Sequence, residues 1–150
     1  MSSKPTSSTS SEKPSSAPST VDSSIEGVRA EIFKLVNAER AKKGLPAYKY
    51  NKTLEKSAQK YSEHMRADNC FSHTCGSTLK ERMHESGYYQ PGKSSSYGEN
   101  IARGQTTAAQ VMRDWMNSPS HRDAILSSKY LEIGIGQSGT FWAQHFGAVR

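Results

Sequence analysis

Trp115-Met116-Asn117-Ser118-Pro119-Ser120-His121-Arg122 closes one helix and opens another. Upstream of it, Val111, Met112 and Trp115 repeat at the three-and-four spacing of an amphipathic helix that begins near Thr107, where Gln110 stands in position to complete the cap. Ser118 followed by Pro119 is then a second helix start, because serine caps and proline suits a first turn that needs no amide hydrogen. His121 falls in that new first turn. A helix N-terminus disfavours an imidazolium, so a neutral ring ready to coordinate is expected there.

Working outward, Ile25, Val28, Ile32, Leu35 and Val36 share the same spacing, with Lys42, Lys43 and Gly44 as the stop. After Pro46 a second helix follows Asn51 or Thr53 as its cap, buries Leu54, Ala58, Tyr61 and Met65, and ends near Asp68 to Asn69. Thr78 and Glu81 form a capping box for a short helix whose inner face is Leu79 and Met83, closed by Gly87. Tyr88 to Ser96 reads as a mobile connection and Tyr97 to Ala102 as extended. Glu132 to Gln137 and Phe141 to Gly147 read as a hairpin turning at Ser138-Gly139. Several helices with a small antiparallel sheet predict an α+β sandwich.

The chain has 150 residues and a formal net charge of +6. That length suits one core. Residues 1–24 are mostly Ser, Thr and Pro, too polar to offset the entropy of ordering, and are expected to form a disordered tether to a domain spanning residues 25–150. Lys4 and Lys13 balance Glu12 and Asp22, so the positive excess belongs to the domain. Its Lys and Arg residues are scattered and no nucleic-acid motif accompanies them, so nucleic acid is not an expected partner. No apolar run is long enough to span a bilayer. A Ser/Thr/Pro stalk before a compact domain is common between an export signal or anchor and its cargo, so the protein is expected outside the cell or on its envelope, its signal removed.

Cys70 and Cys75 flank His73. Export favours a disulfide across that short loop over free thiols. A zinc knuckle of Cys70, His73 and Cys75 would lack a second ligand pair at standard spacing. Trp115, Phe141, Trp142 and Phe146 read as core. His64 and His84 read as surface residues and His145 as a rim residue. The aromatic loop of Tyr88, Tyr89 and Tyr97 would border a cleft if exposed.

Asn37 with Arg40, Leu54 with Ala58, Phe71-Ser72-His73, Gly98-Glu99-Asn100-Ile101, the Trp115 to Arg122 run, Gly134-Ile135-Gly136 and Trp142-Ala143-Gln144 occur in one order. That order resembles the CAP superfamily of cysteine-rich secretory proteins, antigen 5 and plant pathogenesis-related proteins, especially its compact bacterial branch, from about Ile25 to the end. The resemblance implies an α-β-α sandwich with a small antiparallel sheet between helical layers. It also implies a cleft lined by two histidines and one or two acidic residues, which in some members binds zinc or another divalent cation. By motif these are His73, Glu99 and His121, with Ser118, Asn100 and Tyr97 on the rim. Ser118 stands where many eukaryotic members carry the second acid.

Each residue alone has a plainer reading: His73 as a polar-loop histidine, Glu99 as a strand-end carboxylate, His121 as a first-turn residue. Together they predict a secreted or envelope-tethered binding domain, monomeric, whose ligand is a protein, a lipid or sterol, or a cell-wall polymer. The competing expectation is a zinc-assisted hydrolase in which a metal-bound water attacks and Glu99 is ligand or general base. No His-Glu-x-x-His helix accompanies it. A serine nucleophile at Ser118 or Ser120 is disfavoured, since neighbours on one turn seldom supply base, orienter and oxyanion hole. A third expectation is a structural domain whose histidines only stabilise the fold.

Overall fold

Gly134 and Gly136 set the thickness of the molecule. A Cβ at either would collide with the main chain of the helix lying across them, at Leu54 and Glu55 or at Ala58 and Gln59. In the computed structural model, which describes residues 24–150, that helix is α2 (Lys52–Asp68) and the glycines lie on strand β3 (Glu132–Ser138). The other elements are α1 (Ile25–Lys42), β1 (Lys49–Tyr50), α3 (Leu79–Ser86), β2 (Ser95–Arg103), α4 (Ala108–Met116), α5 (Pro119–Ile125) and β4 (Phe141–Val149).

Three of the predicted caps stand where the sequence puts them. Asn51 accepts from the Leu54 amide at 2.9 Å, Thr107 accepts from the Gln110 amide at 3.1 Å, and Thr78 with Glu81 forms the reciprocal box. Ser24, the last residue assigned to the tether, instead caps α1 by accepting from the Gly27 amide. The rest of the tether, residues 1–23, lies outside the described residues.

The sheet order is β1-β3-β4-β2. The β3-β4 hairpin and the β2-β4 pair are antiparallel, as expected, while β1 adds a short parallel edge beside β3. Two residues carry no periodicity, so β1 escaped the sequence reading. The hairpin turns at Gly139 and Thr140, one residue later than predicted, with Gly139 at a φ of 60° that glycine tolerates.

Alternation along the strands divides the core. Ile133, Ile135, Trp142, Phe146 and Ala102 face α1 and α4, with Val36, Val111 and Trp115 packed on them. Ile101, Phe141 and Ala143 face α2, against Ala58, Tyr61 and Met65. The layers are therefore α-β-α. Arg40, 2 % exposed, ties α1 to the C-terminal end of α5 by donating to the carbonyls of Ile125 (2.9 Å) and Ser127 (2.8 Å). Among the described residues no helix is long and apolar enough to cross a membrane.

Candidate functional site

His73 stands on the loop between α2 and α3, and three devices fix that loop. Cys70 and Cys75 form a disulfide across it. The Tyr61 hydroxyl donates to the Ser72 carbonyl and accepts from the Cys75 amide (2.9 Å). Arg82, from α3, donates to the His73 carbonyl at 2.9 Å while its guanidinium stacks on the Tyr61 ring. The His73 ring is thus held while its side chain is 57 % exposed.

Nδ1 of His73 lies 2.7 Å from Oε1 of Glu99 on β2. An ionised carboxylate only accepts, so Nδ1 carries the hydrogen and Nε2 is left as the outward-facing nitrogen. The hydrogen bond to Glu99 raises the His73 pKa above its ordinary value, against the opposing effect of burial.

The Glu99 side chain is 2 % exposed. Its other oxygen accepts from Arg82 (2.9 Å) and from Nε2 of His145 (2.6 Å), which stands opposite it on β4. Nδ1 of His145 lies 2.9 Å from the Ser57 hydroxyl on α2, closing a chain from Ser57 through His145 and Glu99 to His73. Burial alone would favour the neutral acid, but the His145 and His73 hydrogen bonds and the Arg82 charge hold the Glu99 pKa down to about 2. His145 is wholly buried, and desolvation pushes its pKa below the ordinary value, outweighing the pull of Glu99. A neutral ring, donating from Nε2 and accepting at Nδ1, satisfies both partners.

His121 sits in the first turn of α5, half-buried, with its pKa lowered by burial and secondarily by the charge of His73. Its Nδ1 lies 2.7 Å from Oγ of Ser118, and its carbonyl accepts from Nδ2 of Asn100 at 3.0 Å. Ser118 occupies the N-cap position but makes no capping bond, because its hydroxyl is turned to the imidazole. That contact pairs a hydroxyl with a base. Nε2 of His121 has no carboxylate partner among the described residues, so the third member of a nucleophilic triad is missing.

Of the residues expected on the rim, only Ser118 lies beside the imidazole of His73 or His121. Asn100 is buried on the opposite face of β2, donating to Gln144 (3.1 Å) as well as to His121. Tyr97 packs with Leu54, Met83 and Tyr88 in an apolar cluster under α3. Tyr88 is itself buried there, its hydroxyl donating to Glu132 at 2.8 Å, and Tyr89 stacks on His84. The aromatic loop is therefore packed rather than presented. His145 is at the centre of the network and not on its rim. With Arg82 and Ser57, it is what the sequence reading missed. An imidazole facing the same way as Phe141 and Ala143, on a strand whose only other polar side chain is Gln144 on the opposite face, was the available signal.

The donor set does not fit a cation held by His73, Glu99 and His121 together. Both Glu99 oxygens are engaged by buried donors, and among the described residues no group of three or more His, Cys, Asp or Glu side chains is placed to hold a metal ion. What fits is narrower. Nε2 of His73 and Nε2 of His121 have no partner among the described residues, and each ring is oriented through Nδ1 by a second residue, the arrangement that metal-binding histidines use.

An α-β-α sandwich with two oriented imidazoles at the β2 edge defines the class of protein. The model of the cysteine-rich secretory protein family, CAP, matches residues 33–145, and the chain belongs to that family. It is 39 % identical over 129 residues to the uncharacterized protein YkwD of Bacillus subtilis, an alignment covering 83 % of this chain and 48 % of that one. A solved extracellular protein containing an SCP domain from Bacillus anthracis superposes with a TM-score of 0.77 at 27 % identity, over 87 % of this chain and 44 % of its own. A solved outer surface protein from Borrelia burgdorferi superposes with a TM-score of 0.70 at 26 % identity, over 79 % of this chain and 90 % of its own. The chain thus spans about half the length of YkwD and of the Bacillus anthracis protein.

Proposed function

We propose that this domain works outside the cell, free or envelope-tethered, as a binding module whose cleft presents the Nε2 atoms of His73 and His121 to a divalent cation, zinc or a similar ion, with Glu99 positioning His73 rather than ligating. The observation that carries this reading is the pairing of the two Nδ1 atoms, with Glu99 and Ser118 at 2.7 Å each, which leaves both Nε2 atoms without a hydrogen-bond partner among the described residues. A bound zinc would supply a Lewis-acidic centre for a ligand's oxygen or nitrogen donor. The extracellular and outer-surface character of the solved relatives supports the location. The basic domain favours an anionic envelope polymer as the ligand.

A binding role is favoured over hydrolysis by the state of Glu99. A general base works best with a pKa near the operating pH. Glu99, held down to about 2 with both oxygens engaged, is a poor proton acceptor.

Calorimetric titration of metal-free protein with zinc between pH 5 and 8 tests the proposal. Affinity should rise with pH as the imidazoles lose their protons. His73→Ala and His121→Ala should each abolish the binding, whereas Glu99→Gln should weaken it. Zinc binding indifferent to pH, or intact in both alanine variants, would overturn it.

A further inference from the structure

A concavity lies behind the histidine network. Between α2 and α3 a cavity of about 330 Å³ opens to solvent, lined among others by Lys56, Ser57, Lys60, Ser77, Arg82 and Glu85. It shares two walls with the network: Ser57, whose hydroxyl meets His145, and Arg82, which donates to Glu99.

We infer that this cavity binds a phosphate group carried on a small polar molecule of sugar-phosphate size. The charge of the walls selects an anion. Lys56 is exposed and has no ion-pair partner among the described residues, and Lys60 pairs with Glu85 at 3.2 Å where both side chains are about two-thirds exposed. An exposed pair of that kind is screened and readily rearranged. Arg82 is 6 % exposed, and its Nε is a buried donor without a partner. The rest of its guanidinium is already committed, to Glu99 and the His73 carbonyl through one terminal nitrogen and to Ser77 through the other.

That commitment decides between anions. A carboxylate is best recognised by a free two-pronged guanidinium edge, which Arg82 no longer offers. Phosphate is well served by ammonium point charges and a hydroxyl donor, which Lys56, Lys60 and Ser77 supply, the Ser77 hydroxyl accepting from Arg82 and keeping its own hydrogen. The cavity is at the lower end of the range for small-molecule sites and far larger than a bare phosphate, so the molecule that carries the phosphate also fits.

The test is an amide-resolved NMR titration of the whole chain with glucose 6-phosphate, with glucose, inorganic phosphate and sulfate in parallel. Saturable shifts should centre on Ser57, Lys60, Ser77 and Arg82, with glucose 6-phosphate tighter than inorganic phosphate and glucose not binding. Lys56→Glu should weaken the binding by roughly tenfold or more, as loss of a charge-assisted contact does. Lys60→Gln, a second exposed site, should act in the same direction, with both variants melting as the parent does. His121→Ala should bind the phosphate as the parent does, which separates this site from the cation cleft. Non-saturable shifts, equal binding of glucose or sulfate, or unchanged binding in both lysine variants would overturn the inference.

Discussion

Nε2 of His145 lies 2.6 Å from Oε2 of Glu99, directly across the ladder between β2 and β4. The pair is sealed under α2 and α3, with Arg82 supplying the compensating charge at 2.9 Å. Removing one member of such a buried, hydrogen-bonded set leaves the others desolvated and unpaired. Glu99→Ala should therefore cost about 3–5 kcal/mol. Glu99→Gln keeps the shape and one acceptor and should cost less. Urea unfolding of the two variants against the parent measures both values, and a Glu99→Ala midpoint equal to the parent's would contradict the network.

The same groups dictate the response to acid. The Glu99 pKa is lowered from 4.5 to about 2, so the unfolded chain takes up a proton before the folded one and stability falls as pH drops through that interval. That shift corresponds to about 3 kcal/mol for a buried group. His145, lowered from 6.5, acts in the same direction from its ordinary value downward. His73 is raised from 6.5, so its contribution is complete below that value and is lost as pH rises through its folded pKa, but the exposed ring is screened. The metal-free protein should lose stability steadily from pH 6.5 toward pH 2, and Glu99→Gln should show a flatter profile below pH 4.5. Denaturant midpoints across that range decide it.

The helices, most of their caps and the β3-β4 hairpin were legible because each is written in neighbouring residues, as in Thr78 with Glu81; Pro119 marked the start of α5, but Ser118 spends its hydroxyl on His121 instead of capping. The motif residues His73, Glu99 and His121 were legible through the family's order. The support behind them was not. Arg82 reaches Glu99 from 17 positions away and Ser57 reaches His145 from 88, and only the register of β2 on β4 and the seat of α2 on Gly134 and Gly136 bring them together. Asn100 was misplaced for a related reason: strand alternation turns it away from Glu99, toward Gln144 and the backbone of α5.

His73 and His121 should titrate apart. His73 is raised chiefly by its Glu99 hydrogen bond, and His121 is lowered by burial and then by the His73 charge. In metal-free protein, NMR of the ring protons should place His73 above 6.5 and His121 below it. Glu99→Gln should bring His73 down, because the amide cannot reward the imidazolium as a carboxylate does. Ser118→Ala should leave His73 where it is and free the His121 ring to change orientation, visible as broadened or shifted ring signals. Coincident titrations for the two histidines would contradict the assigned partners.

The Cys70–Cys75 bridge spans the segment that carries His73, with a sequence separation of 5. Closing so short a loop constrains the unfolded chain by about 2 kcal/mol. The double variant Cys70→Ser with Cys75→Ser should lose roughly that amount of stability. Its more specific effect concerns the ring. Tyr61 and Arg82 still hold the carbonyls of Ser72 and His73, but Cys75, 4 % exposed, no longer pins the loop's far end to Cys70. The His73 to Glu99 hydrogen bond should then form for only part of the time, and the His73 pKa should fall toward 6.5 while His145, wholly enclosed, keeps its environment. Ring-proton titration of the double variant separates the two outcomes: a displaced His73 value with His145 unchanged is expected, and an unmoved His73 would mean that Tyr61 and Arg82 suffice to hold the loop.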